Sequence, residues 1–241
     1  MTAKNYINRL SEFKSEKELD KVDKYFKGND GKTKPFGVKF GDIFKTAKEF
    51  IEMPLSEINK LLDNEYYEIR MGAVSIMDYQ AKSKKTSETR KKELFELYLT
   101  RHDRLNNWDF VDRGAYNIIG EYLIDRPKNI LYELAKSENP WERRTAIVST
   151  YAYIKKSQVD ETFKIAEILV NDEHELINKA VGSWIREAGK KNEDKLKMFL
   201  DKHAETMPRV TLRYAVEKFD KPIKEHYLNL KNKKASRCST V

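Results

Sequence analysis

EYYEIRMGAVSIMDYQ, Glu65–Gln80, begins with polar and charged residues, passes through Gly72 and Ala73, and continues apolar at helical spacing. The pattern returns in four later stretches: NNWDFVDRGAYNIIGEYL from Asn106, ENPWERRTAIVSTYAYIKK from Glu138, DEHELINKAVGSWIREAGKK from Asp172 and ETMPRVTLRYAVEKF from Glu205. Ala73, Ala115, Ala146, Ala180 and Ala215 bring the five into register. The repeat period is roughly 30–45 residues. A shorter amphipathic segment precedes each, among them PLSEINKLLDN, KNILYELAKS and VDETFKIAEILVND. Helix, turn and helix at that period predict an all-α fold, an α-solenoid of HEAT-like helix pairs with a curved inner surface for a partner. The alanine has a packing role there: a small side chain lets crossing helix axes approach to about 8–10 Å. The stretch KTKPFGVKFGDIFKTAKEF reads as a loop followed by one more amphipathic helix of the same domain. The expected organisation is one repeat domain over residues 1–227 and a basic, disordered tail over 228–241.

The totals agree with a helical reading. Of 241 residues, 39% are hydrophobic and 36% charged, enough for a core under a heavily charged surface. Nine glycines and six prolines are too few for an all-β chain built on tight turns. The net charge of +8 favours a polyanionic partner without locating its surface. The single cysteine, Cys238, excludes an internal disulfide and suits a reducing compartment. With no secretory pattern at the N-terminus and no apolar run long enough for a membrane, a cytoplasmic protein is expected.

Several motifs fail. FKGNDGKT lacks the spacing of a phosphate loop and is followed by Pro35, so Gly28 and Gly31 read as loop residues. His102, His174, His203 and His226 are scattered, without metal-ligand spacing. No metal and no cofactor are expected, and there is no serine-nucleophile elbow.

The stretch at Asn106 is the chemical anomaly. In a helix starting near Asn107, Trp108 and Asp112 share one face, with Cβ atoms about 5–6 Å apart. Asp109 and Arg113 form a second i,i+4 couple, expected as an ordinary surface pair with Asp109 complementing the helix dipole. An indole beside a carboxylate has no such routine explanation. One repeat later, Trp141 reads as a packing residue, and Arg143 with Arg144 as a solvated pair. Arg144 also has the geometry to fork onto a phosphate. Arg70, Arg113, Lys179 and Arg213, near the starts of second helices, are further candidates for phosphate contact.

WD-F-VD, then WERR-A, then KAVG-WIRE, together with KYFKG near the start and HAETMPRVTLRYAVEKF near the end, resemble the AlkD-like family of HEAT-repeat DNA glycosylases. The resemblance spans Tyr25 to Phe219. It implies a monofunctional glycosylase that removes N3- and N7-alkylated purines from double-stranded DNA without flipping the base. It also implies a concave basic surface that holds the DNA backbone, catalytic roles for Asp112 and the neighbouring Trp108, a phosphate contact for Arg144 and a DNA approach for Tyr25. No lysine nucleophile is implied, so no strand-cleaving lyase step is expected. The chain departs from the family at Ser183, which stands where a second DNA-facing tryptophan is usual. Trp184 then falls about 100° further round its helix, either as a packing residue or, after a small rotation, as a wall of the cleft. The alternative function is therefore a non-catalytic binder of branched or damaged DNA with the same fold. A protein-binding scaffold is a third reading, which the basic excess opposes. A monomer is expected.

Overall fold

The computed structural model describes residues 1–27 and 30–230, without the side chains of residues 20 and 22–25. The predicted positions Gly28, Cys238, the tail beyond residue 230 and the Tyr25 side chain therefore lie outside the described residues. The described chain is helical, with no strand and one isolated parallel bridge between Lys34 and Tyr66. It divides into two compact units, residues 1–122 and residues from Leu123 onward.

The first unit contains α1 (Ala3–Ser11), α2 (Glu16–Tyr25), α3 (Phe40–Glu49), α4 (Leu55–Leu62), α5 (Tyr67–Lys82), α6 (Glu88–Thr100) and α7 (Trp108–Gly114). A π-helical segment, Ala115–Gly120, follows α7 directly. Helix α5 is the hub, packed by α3, α4, α6, α7 and the π segment. It is buried on nearly every side, polar residues included, so each of those residues needs a partner inside the fold. Gln80 donates to the carbonyls of Ile51 and Met53 at 2.7 and 2.8 Å, closing the turn between α3 and α4. Gly72 is the seat of α1: a Cβ there would lie 1.9 Å from the Tyr6 hydroxyl.

The second unit contains α8 (Asn129–Leu134), α9 (Pro140–Ser149), α10 (Tyr151–Lys155), α11 (Asp160–Leu169), α12 (Glu175–Gly189), α13 (Glu193–His203), α14 (Arg209–Ala215) and α15 (Lys221–Asn229). Its hub is α12, flanked by α9, α11, α13 and α14. The approach to α14 is close because Gly182 has no side chain: a Cβ there would stand 2.5 Å from the Thr211 carbonyl oxygen. Local signals set the helix starts. Asn139 Oδ1 accepts from Trp141 N at 3.0 Å with Pro140 in the first turn, and Asn192 Oδ1 accepts from Lys195 N at 3.0 Å. Each such cap contributes about 1 kcal/mol.

The five alanines that set the repeat register are all buried, Ala73, Ala115 and Ala146 completely. Close interhelix approaches also fall on glycines near them in sequence, Gly72 and Gly182.

Candidate functional site

Asn107, fully buried, ends an extended stretch at the start of α7. Its side chain does not cap the helix. Instead its Oδ1 accepts from Lys27 N at 2.8 Å, and its Nδ2 donates to Asp109 Oδ1 at 2.7 Å. Asn106 fastens the same upstream segment: its Nδ2 donates to Asp30 Oδ2 at 2.6 Å, and its Oδ1 accepts from Arg70 Nη1 at 3.0 Å. Asp30 shapes the loop, accepting from the backbones of Lys32 and Thr33 at 3.0 and 2.9 Å, with Gly31 at φ +63°. Burial acts to raise the Asp30 pKa, but these hydrogen bonds outweigh it and hold the carboxyl at about 2. The described residues of this stretch, 26, 27 and 30–33, form no helix, and Asp30 closes a turn through side chain-to-backbone bonds.

Trp108 and Asp112 lie four residues apart on α7, on one face, and both are half-buried. The couple expected beside them does not form. Asp109 accepts from the Tyr67 hydroxyl, from Asn107 and from Phe110 N at 2.9 Å. Arg113 turns to α5, donating from Nε to Ser75 Oγ at 3.2 Å and pairing with Asp78 at 3.0 Å. Its guanidinium also lies 4.8 and 4.7 Å from the ring centres of Phe44 and Tyr79. The surface i,i+4 rule presumes solvent around both residues. Here α5 supplies closer partners on each side.

Burial drives the Asp109 carboxyl up to about 6, against the hydrogen bonds from Tyr67, Asn107 and Phe110. Burial first, then the Asp109 charge, pushes the Tyr67 phenol upward as well. A carboxyl whose folded pKa exceeds its unfolded value stabilises the fold below the unfolded pKa, and that contribution is lost as pH rises through the folded pKa. From about pH 4 to about pH 6 this group alone therefore makes the protein less stable as pH rises. Asp109→Asn removes the effect. Chemical denaturation at both pH values should show wild type gaining about 2 kcal/mol on the variant at the acidic end. A constant difference would mean that Asp109 titrates normally.

The π segment was invisible in the sequence. Its geometry shows in Glu121 N bonding five residues back to Tyr116 O at 2.9 Å. Asp78, buried on α5, spans the junction: it pairs with Arg113 on α7 and accepts from Asn117 Nδ2 at 2.6 Å in the π turn. Burial raises the Asp78 pKa, opposed by Arg113 and Asn117.

Arg70, Arg143 and Arg144 also differ from their sequence reading, Arg144 being buried where a solvated side chain is expected. Arg70 is completely buried and ties Thr33, Arg104 and Asn106 together, so it is no phosphate contact. Its expected exposure at a helix start is overridden by the covering loop. Arg143, expected in solvent, forks onto Asp172 at 2.6 and 3.1 Å and donates to the carbonyls of Ser137 and Glu138.

In the second unit Arg144 is buried, 6% exposed, with Nη1 donating to the Leu176 carbonyl at 2.6 Å. Trp141 packs edge-on against His174, 5.8 Å between centres. Lys179 is half-buried and pairs with Glu175 at 2.6 Å, Ser183 is half-buried, and Arg213 is exposed. Trp184 packs on Ile154, Val159 and Ala188, and its indole N–H donates to the Val148 carbonyl at 3.1 Å. Among the described residues no group of His, Cys, Asp and Glu is placed to hold a metal ion, and no helix is long and apolar enough to cross a membrane.

No curated protein matches the chain. A solved structure described as a predicted DNA alkylation repair enzyme from Enterococcus faecalis is similar over 86% of this chain and 97% of its own. Its TM-score is 0.70 at 17% identity, a likeness of fold. The family model for DNA alkylation repair enzymes matches residues 6–219, nearly the whole helical region. The chain belongs to the DNA alkylation repair enzyme family.

Proposed function

We propose that the protein is a monofunctional DNA glycosylase that excises N3- and N7-alkylated purines from duplex DNA, with Asp112 and Trp108 as its catalytic residues and no base flipping. The observation that carries this reading is the pairing of a half-buried indole and a half-buried carboxylate on one face of α7, in a chain of this family. Alkylation at N3 or N7 leaves the purine cationic and therefore a good leaving group. As the glycosidic bond breaks, its electron pair moves to the purine nitrogen and neutralises the base. Positive charge develops on the sugar, where a nearby carboxylate stabilises it. Asp112 takes that role and orients the water that adds to the sugar carbon. The water's proton leaves to solvent, and an abasic site remains. Trp108 packs on the deoxyribose and excludes bulk water.

Arg144 and Tyr25 are assigned to DNA contact on the family resemblance, Arg113, Lys179 and Arg213 from their places near the starts of second helices, and Ser183 with Trp184 from standing at and beside the family's second tryptophan position. Arg144 suits such a role best as a fixed guanidinium, since the Leu176 carbonyl orients it. The protein acts as a monomer of HEAT-like repeats in the cytoplasm.

The test is incubation with methylated duplex DNA, scored for free 7-methylguanine and 3-methyladenine. Release of either base is expected, and release of neither from tightly bound DNA would leave only a binding role. One observation favours that second reading, a non-catalytic binder of branched or damaged DNA. Ser183 replaces an aromatic residue, and Trp184 is held among Ile154, Val159 and Ala188 in the second unit.

A further inference from the structure

We propose that His174 is a positioning residue: its imidazole fixes the backbone of Leu176 at the start of α12 and, through the Leu176 carbonyl, aims the Arg144 guanidinium, an inference that rests on the DNA contact assigned to Arg144 above. Both polar atoms of the Leu176 backbone bond to side chains. Its N–H donates to His174 Nδ1 at 3.2 Å, and its carbonyl accepts from Arg144 Nη1 at 2.6 Å. His174 is the N-cap of α12 and Leu176 the second residue of the helix, so the imidazole satisfies one of the amides that a helix start leaves unpaired. Without that bond the first turn frays, and the carbonyl that holds Arg144 moves with it.

The histidine is itself gripped from α9. Its backbone N–H donates to Asp172 Oδ1 at 2.8 Å, and the same carboxylate takes the Arg143 fork at 2.6 and 3.1 Å. Its ring meets Trp141 edge-on, 5.8 Å between centres. The start of α9 therefore holds the start of α12 at three places: Trp141 on the imidazole, Arg143 through Asp172, and Arg144 on the Leu176 carbonyl. His174 stands between them.

A cap of this kind requires an unprotonated nitrogen. The Leu176 N–H can only donate, so the ring proton sits on Nε2, and a second proton on Nδ1 breaks the bond. Asn139 and Asn192, which cap α9 and α13, cannot be switched in this way. The charged groups acting on the ring are Asp172 in the preceding loop, Glu175 on α12, and Arg143 and Arg144 on α9. Burial pushes the imidazole below its ordinary range; Asp172 opposes it, Arg143 and Arg144 add to it, and Glu175 opposes it. The cap is thus present above the ordinary imidazole range and is lost as pH falls through the depressed value. Two effects of opposite sign follow for DNA binding. On charge alone, a protonated ring strengthens binding to a polyanion. Through Leu176, it disturbs the aim of Arg144 and weakens binding.

The test is the Kd for a short unmodified duplex at fixed salt, measured for wild type, His174→Ala, His174→Asn, Arg144→Ala and the double variant His174→Ala/Arg144→Ala. At about pH 8, His174→Ala should lose about 10-fold, the worth of one well-aimed charged hydrogen bond. His174→Asn supplies a cap acceptor that does not titrate, and it should bind within about threefold of wild type. In the Arg144→Ala background, His174→Ala should cost no more than about twofold, because the group it aims is gone. From about pH 8 down to about pH 5, wild type should weaken relative to His174→Asn. Equal losses from His174→Ala in both backgrounds, or a wild type that keeps pace with or gains on His174→Asn in acid, would overturn the positioning role and leave the functional reading standing. If Arg144→Ala binds the duplex as wild type does, or wild type does not bind it, the DNA contact of Arg144 falls and the role of His174 with it.

Discussion

In Asp112→Asn, single-turnover release of 7-methylguanine from methylated duplex falls by about 100-fold or more, while duplex affinity stays the same or rises. The split follows from what the carboxylate does. Its charge matters when the sugar becomes cationic, and in the ground state a negative group near phosphates only weakens binding. The substitution preserves size and removes charge, and Asp112 is half-buried at the surface of α7, so the fold should tolerate it. Equal loss of affinity and rate would point to a binding role. An unchanged rate would remove Asp112 from the chemistry.

The second large effect is on stability. Glu68 is 1% exposed, and its carboxylate gathers three backbone amides of one loop. Phe36 N donates to Oε2 at 2.7 Å, and Gly37 N and Val38 N donate to Oε1 at 2.8 and 3.3 Å. Truncation strands three buried donors at once, each worth about 1–3 kcal/mol when left unmade. Glu68→Ala should therefore destabilise the first unit by about 4 kcal/mol, seen as a lower urea midpoint. Glu68→Gln keeps an acceptor oxygen and should lose roughly half as much. If Glu68→Ala unfolded at the wild-type midpoint, the loop would have found other partners for those amides.

Periodicity made the helices legible, because each repeat buries one face and the small residues mark where helices cross. It also put Trp108 and Asp112 on a common face, a matter of local geometry alone. What escaped it involves partners far apart in the chain. Tyr67 reaches Asp109 across 42 residues, Arg70 reaches Asn106 across 36, and Glu68 reaches Phe36 across 32. No spacing rule encodes those distances. Arg70 and Arg143 read as solvent-facing cations because the segments that cover or bind them belong to other parts of the chain. The bonding of Trp184 to Val148 likewise depends on how α9 and α12 meet.

The π turn after α7 amounts to one surplus amino acid lodged within a helix, stapled across its junction by Asp78. Shortening Ala115–Gly120 by a single codon would let the regular ladder close with the residues beyond it still on their present faces, at the expense of the widened turn in which Asn117 meets Asp78.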